Sequence, residues 1–187
     1  MNPKQKSLTK TIGNILIFLS IGILIYVYLP FASLYVFPQR IDEKNIKSGF
    51  YIEIPKINAA APIIPNVDPW NEAQYRAKLK EGVAQAKGTA LPGEKGTSFL
   101  FAHSSDSPWN MTRYNIAFFR LGELNINDKV SIHRNGKELE YKVVARKEVW
   151  PSEVKYLKET SSYNLILQTC TPVGTSLRRL LIFANSI

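Results

Sequence analysis

Cys170 is the only cysteine among 187 residues. A solitary thiol is either a small buried apolar group or a nucleophile. It follows Leu165-Ile166-Leu167-Gln168-Thr169, which reads as a strand, and precedes the turn-forming Thr171-Pro172-Val173-Gly174. A strand–loop junction places it on a rim rather than mid-core. With an unperturbed pKa near 8.5, only about 3% of a thiol is thiolate at pH 7, so nucleophilic chemistry calls for an imidazole. Two are present. His133 lies beside Asn135-Gly136 among Arg134 and Lys137, the setting of a solvated hairpin residue. His103 directly follows the apolar run Thr97–Ala102 and opens a polar stretch, Ser104 to Pro108, so it sits at the same kind of rim as Cys170 and is the better candidate. Arg178-Arg179 opens the next apolar run. Adjacent strand residues face opposite sides, so one of the two can share a face with the thiol and offer an always-charged donor to an oxyanion.

The elements that must position these groups are mainly β. Phe50–Ile54, Ile57–Ile64, Thr97–Ala102, Lys129–Arg134, Lys137–Trp150, Ser162–Cys170 and Leu177–Ala184 read as strands. Asn135-Gly136 predicts a type I′ hairpin. In the strand after it Leu139, Tyr141, Val143 and Ala145 alternate with polar neighbours, as one buried face requires. Glu72–Lys80 reads as a helix capped by Asn71 or Asp68, with Trp70 packed at its start, and Pro151–Leu157 as one or two helical turns. Seven or eight short strands with one or two helices, and no βαβ rhythm, predict a mostly antiparallel β-barrel or sandwich.

Residues 1–37 hold Lys4, Lys6 and Lys10 and no acid, and Ile12–Leu29 is almost wholly apolar. Some 18 to 20 such residues span the roughly 30 Å hydrocarbon core of a bilayer. The run is longer than a cleaved signal peptide needs, and Pro30-Phe31-Ala32 lacks the small-x-small site. The expected organisation is a cytoplasmic basic tail at 1–11, a membrane-spanning anchor at 12–37, a linker at 38–49 and an extracellular domain at 50–187, the basic flank staying inside. Of the net charge of +9, the tail accounts for +3 and the outer domain for +6. No run of five basic residues and no nucleic-acid-binding motif is visible in the outer domain, which argues against nucleic-acid partners. One cysteine excludes an internal disulfide and any multi-cysteine metal cluster. A lone extracellular thiol also has no partner and invites oxidation, which favours the reactive reading.

Three stretches together resemble a sortase, a membrane-anchored cysteine transpeptidase of bacterial surfaces. They are Tyr51-Ile52-Glu53-Ile54-Pro55-Lys56-Ile57, Phe99-Leu100-Phe101-Ala102-His103, and Leu167-Gln168-Thr169-Cys170-Thr171-Pro172 through Arg179-Leu180-Leu181. The family signature TLxTC reads Ile166-Leu167-Gln168-Thr169-Cys170 here, with isoleucine in place of the first threonine. The resemblance implies a closed β-barrel of about eight strands, Cys170 as nucleophile, His103 as general acid and Arg179 at the substrate and oxyanion, with Arg178 the weaker choice. It implies no cofactor. Implied partners are surface or pilin proteins with an LPXTG-type C-terminal sorting signal, cut between Thr and Gly. A thioacyl-enzyme would form, to be resolved by an amine of a peptidoglycan precursor or a pilin lysine. Asp68-Pro69-Trp70 is similar to the lid motif of pilin-building sortases but follows the opening strand instead of preceding it, so it is not carried over. Calcium sites of some members cannot be placed, and no metal is assigned.

If the pair kept unperturbed pKa values near 8.5 and 6.5, under about 1% of molecules would hold thiolate and imidazolium together at pH 7, and activity should rise above neutral pH before falling. Two rivals remain. A caspase-type hydrolase shares Gln168-Thr169-Cys170 and an upstream histidine but needs α/β alternation and Arg-Gly after the cysteine. A membrane-tethered binding domain would leave Cys170 inert.

Overall fold

The computed structural model describes residues 3–36, 49–105, 114, 116–157 and 163–187. The chain divides into two compact units, 1–37 and 38–187. The first is a single helix, α1 (Pro3–Val36). Its segment Ser7–Leu29 is long and apolar enough to cross a membrane. Among the described residues its large apolar side chains are mostly exposed, Phe18 at 74% for example. A lone helix with an apolar surface all round suits a hydrocarbon solvent, where every backbone group is satisfied internally. The linker expected at 38–49 lies, but for Gly49, outside the described residues.

Among its described residues the second unit has eight strands: β1 (Tyr51–Ile54), β2 (Ala59–Val67), β3 (Val83–Ala86), β4 (Ser98–Phe101), β5 (Lys129–Arg134), β6 (Lys137–Val149), β7 (Leu165–Thr171) and β8 (Arg178–Ser186). They close into a barrel in the order β1-β2-β3-β4-β7-β8-β6-β5. Six seams are antiparallel; β2–β3 and β4–β7 are parallel. Closure removes the unpaired edges that an open sheet would expose. Helix α2 (Glu72–Leu79) and a 3₁₀ turn at Val154–Leu157 complete the frame. Asn135 (φ 54°) and Gly136 (φ 74°) both take positive φ, as the I′ hairpin between β5 and β6 demands.

Several boundaries differ from the sequence expectation for local reasons. The second strand does not begin at Ile57, because Pro55–Ile57 forms a 3₁₀ turn ended by left-handed Asn58. Nor does it stop at Pro65. Asn66 turns to φ 59° and the register against β3 shifts between Ile64 and Val67, and such a bulge lets a strand pass a proline that has no N–H to give. Strand β3 carried no readable signal. Its Gln85 is buried and donates to Ala86 O (2.7 Å), Thr89 O (3.0 Å) and Thr89 Oγ1 (2.9 Å), while accepting from Asn66 N at 2.7 Å. A Cβ at Gly82, just before β3, would overlap the Pro62 carbonyl, so the close approach of β2 requires glycine.

Along β7 the alternation divides two faces. Leu165 and Leu167, with Leu100 on β4 and Ile182 on β8, are fully buried and share one face of the sheet. Ile166, Gln168 and Cys170 share the other. Phe118, Leu121 and Leu124, from the segment before β5, are also fully buried.

Candidate active site

Strands β4 and β7 run parallel, with Phe101 level with Gln168, so they end side by side. That register brings His103, two residues past β4, to the same end as Cys170. Three hydrogen bonds join the two segments. Ala102 N donates to Gln168 O (3.2 Å), the buried Thr169 hydroxyl donates to Ala102 O (3.1 Å), and Gly174 N donates to Ser105 Oγ (2.9 Å). They flank His103 on one strand and Cys170 on the other, fixing the backbone on both sides of each.

Strand β8 supplies the third group. In the antiparallel β7–β8 seam Cys170 lies directly opposite Arg179, and Thr171 opposite Arg178. Directly opposed residues share a face, with Cβ atoms about 4.5–5.5 Å apart, so Arg179 is the arginine on the thiol's face. Its Nη1 donates to Ser176 O (3.0 Å) and Arg178 O (3.2 Å), which anchors the guanidinium to its own loop. Arg178 instead places its guanidinium 4.0 Å from the centroid of the Trp150 ring, a cation–π stack. The connection from Cys170 to Arg178 closes on Thr175, whose N–H and hydroxyl both donate to Pro172 O (3.0 and 2.8 Å).

Cys170, His103 and Arg179 all line one groove of about 190 Å³. Gln168, Thr169 and Leu181 join them along β7 and β8. One wall is Pro69, Trp70, Tyr75 and Leu79; further lining comes from Val149, Trp150, Glu153 and Tyr156. Cys170 is half-buried. It is therefore sheltered from bulk water yet open to a substrate.

The first wall is set by helix capping. Asn71 is the N-cap, its side chain accepting from Gln74 N at 3.1 Å, while Asp68 accepts from Trp70 N at 2.9 Å. The expectation of a packed tryptophan fails here: Trp70 is 66% exposed and forms the groove's edge. A turn at Asp68 followed by a cap at Asn71 holds the indole outside the helix's buried side. Tyr75, one turn on, meets the Phe101 ring edge-on at 6.1 Å.

His133 lies elsewhere and is not the solvated hairpin residue expected. It stacks flat on Tyr51 at 4.4 Å between β5 and β1, with Glu53 and Glu138 each 3.8 Å from Nε2. Cross-strand register, invisible in a single strand's sequence, made that contact. Burial raises the Tyr51 hydroxyl above its ordinary pKa, and Glu53 adds to the effect. Sequence reasoning also passed over Thr169 and Ser105, whose roles depend on two strand ends lying side by side. Among the described residues no group of three His, Cys, Asp or Glu is placed to hold a metal ion.

A thiol, an imidazole and a guanidinium on one groove at the end of a closed barrel form the kind of site that acyl transfer through sulfur requires. The Sortase domain family model matches residues 52–187. The chain belongs to the sortase family, a family of cysteine transpeptidases. It is 29% identical over 140 residues to Sortase D of Bacillus subtilis, covering 73% of this chain and 62% of that protein, so it spans less than two-thirds of that relative's length. Among solved structures it is similar to sortase A from Corynebacterium diphtheriae (28% identity, TM-score 0.61, 75% of this chain and 60% of that one). It is likewise similar to sortase C from Clostridium perfringens (30% identity, TM-score 0.58, 89% and 88%).

Proposed function

We propose that this chain is a membrane-anchored cysteine transpeptidase acting on LPXTG-type sorting signals, with Cys170 as nucleophile, His103 as general acid and base, and Arg179 at the oxyanion. The observation that carries the reading is the register that sets Cys170 opposite Arg179 while β4 delivers His103 to the same groove. In the first half-reaction the Cys170 thiolate attacks the Thr carbonyl carbon. A C–S bond forms and the carbonyl electron pair moves onto oxygen, facing the guanidinium. As the oxyanion collapses the C–N bond breaks, and the leaving glycine amine takes its proton from the His103 imidazolium. A thioester and a neutral imidazole remain. An acceptor amine then attacks the thioester, its proton passes to His103, and the C–S bond breaks to return the thiolate.

The acceptor is an amine of a cell-wall precursor or a pilin lysine, and the donor is a surface or pilin protein with a C-terminal sorting signal. Lys4, Lys6 and Lys10 before the apolar segment support a cytoplasmic N-terminus, which places residues beyond the anchor outside the cell membrane. The test incubates the full chain in detergent with an LPXTG-type peptide, with and without a primary amine. Amide product that needs the amine and disappears in Cys170→Ala supports the reading. Cleavage indifferent to amine makes the protein a hydrolase, and a Cys170 inert to alkylating reagents makes it a binding domain.

A further inference from the structure

In addition to the His103 imidazole, the groove is lined by one basic and one acidic side chain. One is Arg179; the other is Glu153, the acid among the described groove-lining residues. Glu153 is held in place by a closed turn, its Oε1 accepting from Trp150 N at 3.1 Å and its own N–H donating to Trp150 O at 3.0 Å. Glu72, Glu81, Glu94, Glu123 and Glu140 each pair with a lysine or arginine. Glu153 makes no such pair among the described residues. Its neighbours along the groove, Trp150, Pro151 and Val154, are apolar. A positioned carboxylate in partly apolar surroundings attracts a cation more strongly than one in open water.

We infer that Glu153 is a specificity-determining residue that receives the ammonium group of the incoming acceptor. The inference rests on the transpeptidase reading, since that reaction obliges the groove to admit a primary amine, which is an ammonium ion near neutral pH. Glu153 draws the ammonium in. One proton then passes to solvent, the neutral amine attacks the thioester, and a second proton goes to His103. The same carboxylate disfavours anionic acceptors.

The experiment compares wild type with Glu153→Gln, a change that keeps the oxygen that accepts from Trp150 N. The full chain in detergent is acylated by an LPXTG-type peptide with alanine at X and resolved by propylamine, a cation, or by hydroxylamine, which is uncharged at neutral pH. The expected result is a drop of about 3- to 10-fold in acceptor kcat/KM for propylamine with no change for hydroxylamine, the range of a partly solvated charged hydrogen bond. Equal losses for both nucleophiles, or no loss for either, overturn it. A second donor peptide with lysine at X distinguishes the other source of an ammonium group. If E153Q slows only that donor and leaves propylamine unaffected, the site serves the donor and the acceptor assignment is wrong. Wild type that yields no hydroxamate refutes the transpeptidase reading itself, and the role of Glu153 falls with it.

Discussion

Thr169→Val tests the link between the two strand ends. Thr169 is 4% exposed and its hydroxyl donates to Ala102 O at 3.1 Å, a bond between the residue before Cys170 and the residue before His103. Valine replaces the hydroxyl with a methyl group of similar volume, so no cavity opens, but the buried Ala102 carbonyl loses this donor. Leaving a buried acceptor short of a partner costs about 1–2 kcal/mol. For a domain of this size that is roughly 3–6 °C in Tm. The catalytic effect should exceed the stability effect, because displacing a reacting group by about 1 Å can cost about 100-fold. We expect kcat for amine-dependent transfer to fall about 10- to 100-fold with KM little changed, and Thr169→Ser to recover most of it. The assay pairs a thermal melt of the full chain in detergent with steady-state transfer from an LPXTG-type peptide. A variant that melts several degrees lower yet turns over like wild type would refute the positioning argument and leave the bond a purely structural one.

Other substitutions separate the candidates that sequence alone left open. Arg179→Ala should lower kcat about 100- to 1,000-fold, the usual cost of one oxyanion donor. Arg178→Ala, which removes a stack on Trp150 rather than a groove-lining guanidinium, should cost less than about 10-fold; steady-state rates of both variants check the order. His103→Ala should abolish transfer, whereas His133→Ala should leave turnover intact and lower the melting temperature through loss of its Tyr51 stack. Tyr51→Phe should be neutral or stabilising by up to about 1 kcal/mol, because the Tyr51 hydroxyl is buried with no hydrogen-bond partner among the described residues. A denaturant titration showing a loss above about 1 kcal/mol would mean the hydroxyl is satisfied after all.

Much of this site was legible because its chemistry draws on scarce residues. One cysteine and two histidines left few combinations, and strand-end positions sufficed to prefer His103 for the groove that the structure describes. Strands with an apolar run or a clean alternation, such as β4 and β6, were equally readable. Strand β3 was not, since Val83-Ala84-Gln85-Ala86 has neither pattern and owes its place to Gln85 and to parallel pairing with β2. Parallel seams join segments far apart in sequence, and no local signal announces them. The parallel β4–β7 seam likewise hid the roles of Thr169 and Ser105, while the stacking of His133 depends on the antiparallel β1–β5 register between segments distant in the chain. Trp70 escaped for another reason: an aromatic beside a helix cap is ordinarily packed, and only the fold reveals that this one edges a groove.

In the proposed reaction Cys170 carries the acyl group. The direct measurement is intact-mass spectrometry of the full chain after brief exposure to an LPXTG-type peptide, quenched in acid. An adduct equal to the peptide up to its threonine acyl group, mapped to Cys170, released by hydroxylamine and missing in Cys170→Ala, is the predicted result. Peptide cleavage without any such adduct, or with an adduct on another residue, would contradict it.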